Sequence, residues 1–119
     1  MPTPPLPALI ADDTATARTA VVRALRRRGV SYVEAGTASA AKAVDAFSIA
    51  CALLDLDLGD GTGVEVARSL LAARPELPVA FFSAGAAQDV LTEARALGPV
   101  FRKPDDLVRA IAWVTGHAN

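Results

Sequence analysis

With 119 residues, 52% of them hydrophobic and 21% charged, the chain has the length of one domain and enough apolar material for a real core, which excludes global disorder. Its 12 basic and 13 acidic residues leave a formal net charge of −1, so no global field draws it to nucleic acid or to an anionic membrane. Cys51 is the only cysteine, which excludes an internal disulfide; set in an apolar run, it reads as a small core hydrophobe.

Four of the eight prolines fall within the first seven residues, so residues 1–7 are expected to form an extended or unstructured tail before a domain over 8–119. No basic stretch leading into a long apolar one marks a secretory signal. Apolar runs such as Ile49 to Leu54 are too short to span a bilayer. A soluble cytoplasmic protein without membrane contact is therefore expected.

After the tail, short apolar runs alternate with helical patterns. Ala8 to Ala11 predicts a strand. Thr14 to Arg28 predicts a helix, capped by Thr14 or Thr16 and stopped at Gly29. A strand near Tyr32 to Ala35 and a helix from Ala38 to Phe47 follow. Ile49 to Leu54 is apolar throughout, as expected of a parallel strand buried on both faces. Val64 to Ala73 predicts a helix closed by Pro75, and Val79 to Phe82 a fourth strand. Gln88 to Leu97 predicts a helix ending at Gly98-Pro99. Val100 to Arg102 predicts a fifth strand, and Asp106 to Thr115 the last helix. Five strand–helix units imply an α/β fold, a doubly wound five-stranded parallel sheet with helices on both faces. The order 2-1-3-4-5 is the common winding that places ligands at the switch between strands 1 and 3.

The residues that follow each strand carry the chemistry. Strand 1 runs into Asp12-Asp13, strand 3 into Asp55, strand 4 into Ser83, and strand 5 into Arg102-Lys103. All share one edge of a parallel sheet. Packed carboxylates repel one another, and carboxylate oxygens with waters are what Mg²⁺ takes. The acidic cluster thus reads as a Mg²⁺ site, with Asp55 available as a nucleophile able to carry phosphate as an acyl phosphate. Lys103, one of two lysines beside ten arginines, can neutralise a phosphoryl oxygen, and Ser83 can donate to another. Ala84 and Gly85 leave room for the group to approach.

These residues resemble the bacterial response-regulator receiver domains of two-component signalling over nearly all of the chain after the tail. The resemblance implies that Asp12 and Asp13 are the acidic metal-binding pair and that Asp55, within Leu53-Leu54-Asp55-Leu56-Asp57-Leu58, is the phosphoacceptor. It implies that the backbone carbonyl of Asp57 supplies a further metal contact and that Ser83-Ala84 is the hydroxyl-plus-small pair. It further implies that Lys103-Pro104 is the lysine followed by a cis bond. The implied activity is Mg²⁺-dependent acceptance of a phosphoryl group, catalysed only on the domain itself, followed by a conformational switch. The implied donor is a sensor histidine kinase or a histidine phosphotransfer protein. Gly59 stands where proline is frequent and Asp105 where phenylalanine is. Val100 stands where many members carry a switching aromatic residue, so an aromatic swing is not expected.

Other readings fit less well. Asp55-Leu56-Asp57 also looks like the double aspartate of haloacid-dehalogenase-type phosphatases, but those carry the nucleophile after the first strand, and Asp12-Asp13 would go unexplained. A degenerate receiver serving only as a binding module conflicts with the full set of site residues. A calcium loop starting at Asp55 fails on register, since positions six and twelve hold Asp60 and Val66. A flavodoxin-like phosphate cradle after strand 1 is incompatible with the charge of Asp12-Asp13. The first helix carries Arg18, Arg23, Arg26, Arg27 and Arg28 with no acidic residue, which is either a solvated face favouring the helix C-terminal dipole or a docking face for the phosphotransfer partner. Trp113 is expected to pack, and His117 to be exposed and without a catalytic role. No DNA-recognition helix follows Lys103, so no DNA binding is expected of these residues.

Overall fold

The computed structural model describes residues 4–118. Its elements are β1 (Ala8–Ala11), α1 (Ala15–Arg27), β2 (Tyr32–Ala35), α2 (Ala38–Lys42), a single 3₁₀ turn (Ala46–Ser48), β3 (Cys51–Leu54), α3 (Gly63–Ala73), β4 (Val79–Ser83), α4 (Gln88–Leu97), β5 (Val100–Arg102) and α5 (Leu107–Ala118). The five strands form one parallel sheet in the order β2-β1-β3-β4-β5, the winding expected from the alternating elements. Met1–Thr3 of the expected tail and the final residue, Asn119, lie outside the described residues. Pro4–Pro7 belong to no helix or strand, and the Pro7 carbonyl accepts a hydrogen bond from Ala50 N at 2.9 Å.

Alternation along the strands splits the core into two layers. Leu9, Ala11, Ala52, Leu54, Val79 and Phe81 pack with the inner faces of α2, α3 and α4. Ala8, Ile10, Cys51, Leu53, Ala80, Phe82 and Phe101 pack with α1 and α5. Burying each large side chain contributes about 1.5–3 kcal/mol, and with both faces covered the central strands are apolar throughout. Cys51 lies in this interior, where burial pushes its thiol up to about 12.

The second helix departs from the expectation. The pattern predicted a helix from Ala38 to Phe47, but α2 ends at Lys42. Asp45 turns extended, and its side chain accepts from Phe47 N at 2.9 Å, so an aspartate offers the backbone a local partner that competes with the helix. β3 accordingly begins at Cys51 rather than Ile49. Arg74 bridges the connection by donating to the carbonyls of Ala46 and Ile49 at 3.1 and 2.7 Å. The first helix keeps Thr14 at its N-cap without a side-chain capping bond, and Gly29 follows its end with φ of 69°. Among the described residues no helix is long and apolar enough to cross a membrane.

Candidate functional site

Register brings the acidic residues together. β1 and β3 pair from Ala8 with Cys51 to Ala11 with Leu54, so the next residue of each, Asp12 and Asp55, leaves the sheet side by side. Asp55 N donates to Ala11 O at 2.8 Å. One carboxylate oxygen from each of Asp12, Asp13 and Asp55 lies within 4.8 Å of the other two. Asp12 and Asp55 are buried and Asp13 is exposed. On the other flank, β4 and β5 end with Ser83 opposite Arg102, and Lys103 N donates to Ser83 O at 2.9 Å. The Lys103 ammonium reaches back across the edge to Asp12 Oδ2 at 2.6 Å and Asp55 Oδ2 at 3.1 Å. Its Nζ lies 5.6 Å from the centre of the Phe82 ring. The Lys103–Pro104 bond is cis.

Burial pushes the Asp55 carboxyl above the ordinary carboxylate range; the charge and hydrogen bond of Lys103 pull it down without cancelling that, and the neighbouring Asp12 raises it further. Burial also works against the charge on Lys103, but the hydrogen bonds and charges of Asp12 and Asp55 outweigh it and hold the ammonium above the usual lysine value. The edge is thus a partly neutralised carboxylate cluster with one cation already in contact.

The loop after β3 completes the edge. Asp57 N donates to Asp55 Oδ1 at 3.3 Å, and Asp57 Oδ1 accepts from Gly59 N at 3.0 Å, which closes a tight turn with Gly59 at φ of 78°. Leu58 N donates to Gly61 O, and Asp57 bridges to Thr62. α3 then starts hard against the site: a Cβ on Gly63 would stand 2.1 Å from the Asp55 carbonyl oxygen, so no side chain fits there. The Ser83 hydroxyl is buried and engaged with its own loop, donating to Gly85 O at 3.3 Å and accepting from Gly85 N at 3.4 Å.

The residues singled out from the sequence therefore meet at one edge, with Ser83 beside the cluster rather than bonded to Asp55. The donor set suits a hard divalent cation, being carboxylate oxygens with an open side toward solvent. Two polar residues escaped the sequence reading. Asp60 accepts from Ala38 N at 2.7 Å and Ser39 N at 3.1 Å, tying the β3–α3 loop to the start of α2. Those amides hold its carboxyl below the ordinary value. Arg18, read as one of a row of helix arginines, donates to the Asp12 carbonyl and pairs with Glu34.

A family model described as "Response regulator receiver domain" matches residues 8–111. The chain belongs to the response-regulator receiver family. Receiver domains are phosphoacceptor signalling modules that work with histidine kinases or phosphotransfer proteins, and they are not enzymes of the ordinary kind. Among solved structures, the signal receiver domain of the putative response regulator NarL from Mycobacterium tuberculosis is 27% identical, with a TM-score of 0.79 and coverage of 98% of each chain. A CheY-like receiver domain protein from Methanospirillum hungatei is 20% identical, with a TM-score of 0.79 over 95% of each chain. A response regulator from Burkholderia pseudomallei is described with a phosphorylated aspartic acid, a calcium ion and citrate. It is 21% identical with a TM-score of 0.74, covering 92% of this chain and 66% of that one. No curated protein matches the sequence at a significant level.

Proposed function

We propose that residues 8–119 act as a receiver switch that takes a phosphoryl group onto Asp55 with Mg²⁺ and passes the change to a partner protein. The observation that carries the reading is the direct contact of Lys103 with both Asp12 and Asp55 at the carboxyl ends of β5, β1 and β3. Mg²⁺, held by Asp12, Asp13, Asp55 and the Asp57 carbonyl, would supply charge neutralisation at the phosphoryl oxygens. An Asp55 carboxylate oxygen forms the new bond to phosphorus while the bond to the donor's imidazole nitrogen breaks, and that electron pair leaves with the imidazole. Lys103 follows the charge onto a phosphoryl oxygen. The Ser83 hydroxyl exchanges its weak bonds to Gly85 for a bond to another.

The donor is a sensor histidine kinase or a histidine phosphotransfer protein in the cytoplasm. Its approach is favoured by the exposed arginines Arg23, Arg26 and Arg27 of α1 and Arg28 at its C-cap, along the groove that Arg27 and Arg28 share with Leu107, Val108 and Ile111 of α5. Steering of this kind acts mainly on association rate. The reading is tested by adding beryllofluoride, which mimics a phosphoryl group on a carboxylate, with and without Mg²⁺, and following amide resonances. Mg²⁺-dependent shifts centred on Asp12, Asp55, Ser83 and Lys103 support it. Shifts that ignore Mg²⁺ or leave this edge untouched refute it.

A further inference from the structure

We propose that Arg18 is a positioning residue for the acidic pair, fixing the Asp12–Asp13 peptide so that both carboxylates face the metal site, with Glu34 orienting the guanidinium. The proposal rests on the reading of that edge as a Mg²⁺ site. Where β1 ends, the backbone of Asp12 leaves the sheet with its polar groups still needing partners. Its N–H donates to Ala35 O at 3.0 Å. Its side chain accepts from Thr14 N at 2.9 Å and from Lys103. Its carbonyl has no strand partner and is gripped by Arg18 Nη1 instead. Arg18 Nε meanwhile pairs with Glu34 Oε1 on the edge strand β2 at 3.2 Å.

This geometry needs a fork. One nitrogen reaches the Asp12 carbonyl and another reaches Glu34, and a lysine ammonium cannot span both in the same way. Gly36 lies beside the guanidinium: a Cβ there would meet Arg18 Nη1 at 3.4 Å, an ordinary contact, so a methyl would fit but a branched side chain would press on the fork. With three-quarters of its side chain buried (23% exposed), Arg18 is not a free member of the basic face of α1. Its charge alone would oppose a cation at Asp12, so a net benefit to metal binding has to come from orientation.

Calorimetric Mg²⁺ titration of the whole chain separates the two effects, with thermal melts confirming that each variant is folded. Arg18→Lys keeps the charge and loses the fork, and it should bind Mg²⁺ about tenfold more weakly, as partners that orient ligands typically require. Arg18→Gln should also weaken binding although it removes a repulsive charge. Glu34→Gln still offers an oxygen to Nε and should stay close to wild type. Gly36→Val, which displaces the guanidinium while Arg18 remains, should reproduce the loss. In metal-free protein the Asp13 amide, which shares a peptide with the gripped carbonyl, should shift in Arg18→Lys. Wild-type affinity in Arg18→Lys, or tighter binding in Arg18→Gln, overturns the inference and leaves the metal site standing. Wild-type protein that takes up no Mg²⁺ overturns the metal site, and Arg18's role falls with it.

Discussion

Replacing Lys103 with methionine removes the charge and keeps an apolar stem against Phe82. The side chains of Lys103, Asp12 and Asp55 are only 14%, 5% and 10% exposed. Removing one partner of a buried ion pair typically costs about 3–5 kcal/mol, because the remaining charge is left without compensation. Here two carboxylates are left facing each other, and part of that cost is relieved by proton uptake at Asp55, whose carboxyl burial already raises. We expect Lys103→Met to lose about 2–3 kcal/mol in EDTA at neutral pH, or roughly 8–12 °C in Tm for a domain of this size. Since the Lys103 pKa is raised, the wild-type advantage is fully present below the ordinary lysine value of 10.5 and fades only as pH climbs through the folded-state value above it. Mg²⁺ should then stabilise the variant more than the wild type, since it no longer competes with an ammonium. At one hundred times the variant's Kd, Mg²⁺ contributes about 2.7 kcal/mol to the variant, and the gap narrows by the difference between that and the smaller gain of the wild type at the same concentration. Circular-dichroism melts of both proteins in EDTA and in Mg²⁺ give the four numbers required. A variant within about 0.5 kcal/mol of wild type in EDTA, the range of an ordinary surface substitution, or one with no larger gain from Mg²⁺, refutes the electrostatic account of this edge.

Further outcomes follow from individual contacts. Arg23→Glu with Arg27→Glu should slow transfer from a protein donor, the more so at low salt, while uptake from a small phosphodonor stays unchanged; equal slowing with both donors would show damage to the site instead. Gly63→Ala drives a methyl into the Asp55 carbonyl and should cost about 2 kcal/mol or more by overpacking, read as a lower urea midpoint; an unchanged midpoint contradicts the close approach. Asp60→Asn should melt below wild type at neutral pH. The Ala38 and Ser39 amides lower the Asp60 pKa, so its contribution is present above the ordinary value of 3.8 and disappears as pH falls through the folded-state value; a difference that persists at strongly acid pH would contradict that cause. Val100 faces the α4 layer, whereas Phe101 is buried on the α1–α5 face with Arg109 over its ring. Phosphorylation should therefore move Ser83 and the Ala84–Gln88 loop while Phe101 keeps its place in the core, and structures with and without beryllofluoride that show Phe101 changing rotamer together with Ser83 would overturn this.

The sheet was legible because its physical cause is local: short β-branched and apolar runs, each followed by a helical period, have few right-handed windings available. Once the order is known, Asp12, Asp55, Ser83 and Lys103 must share an edge, so the core of the candidate site was legible as well. α2 was not. The alanine-rich run from Ala38 predicted a longer helix, and only the side chain of Asp45, bonding two residues ahead, shows why the helix stops. The partners of Arg18 and Asp60 were hidden for another reason. Both act on backbone groups brought near by the fold, Arg18 on a carbonyl at the end of β1 and Asp60 on amides at the start of α2, and hydropathy patterns carry no trace of such contacts. A row of five arginines looked uniform until the fold showed Arg18 tied to Asp12 and Glu34 and Arg26 bonded to the Tyr32 hydroxyl at 2.7 Å.

The most direct test of the central claim is intact-mass spectrometry of the wild type and Asp55→Asn after incubation with a small acyl-phosphate donor, with and without Mg²⁺. The wild type should gain a single phosphoryl group only when Mg²⁺ is present, and Asp55→Asn should gain none. Equal labelling of the two proteins, or wild-type labelling indifferent to Mg²⁺, would contradict the assignment of Asp55 as the phosphoacceptor of a metal-dependent site.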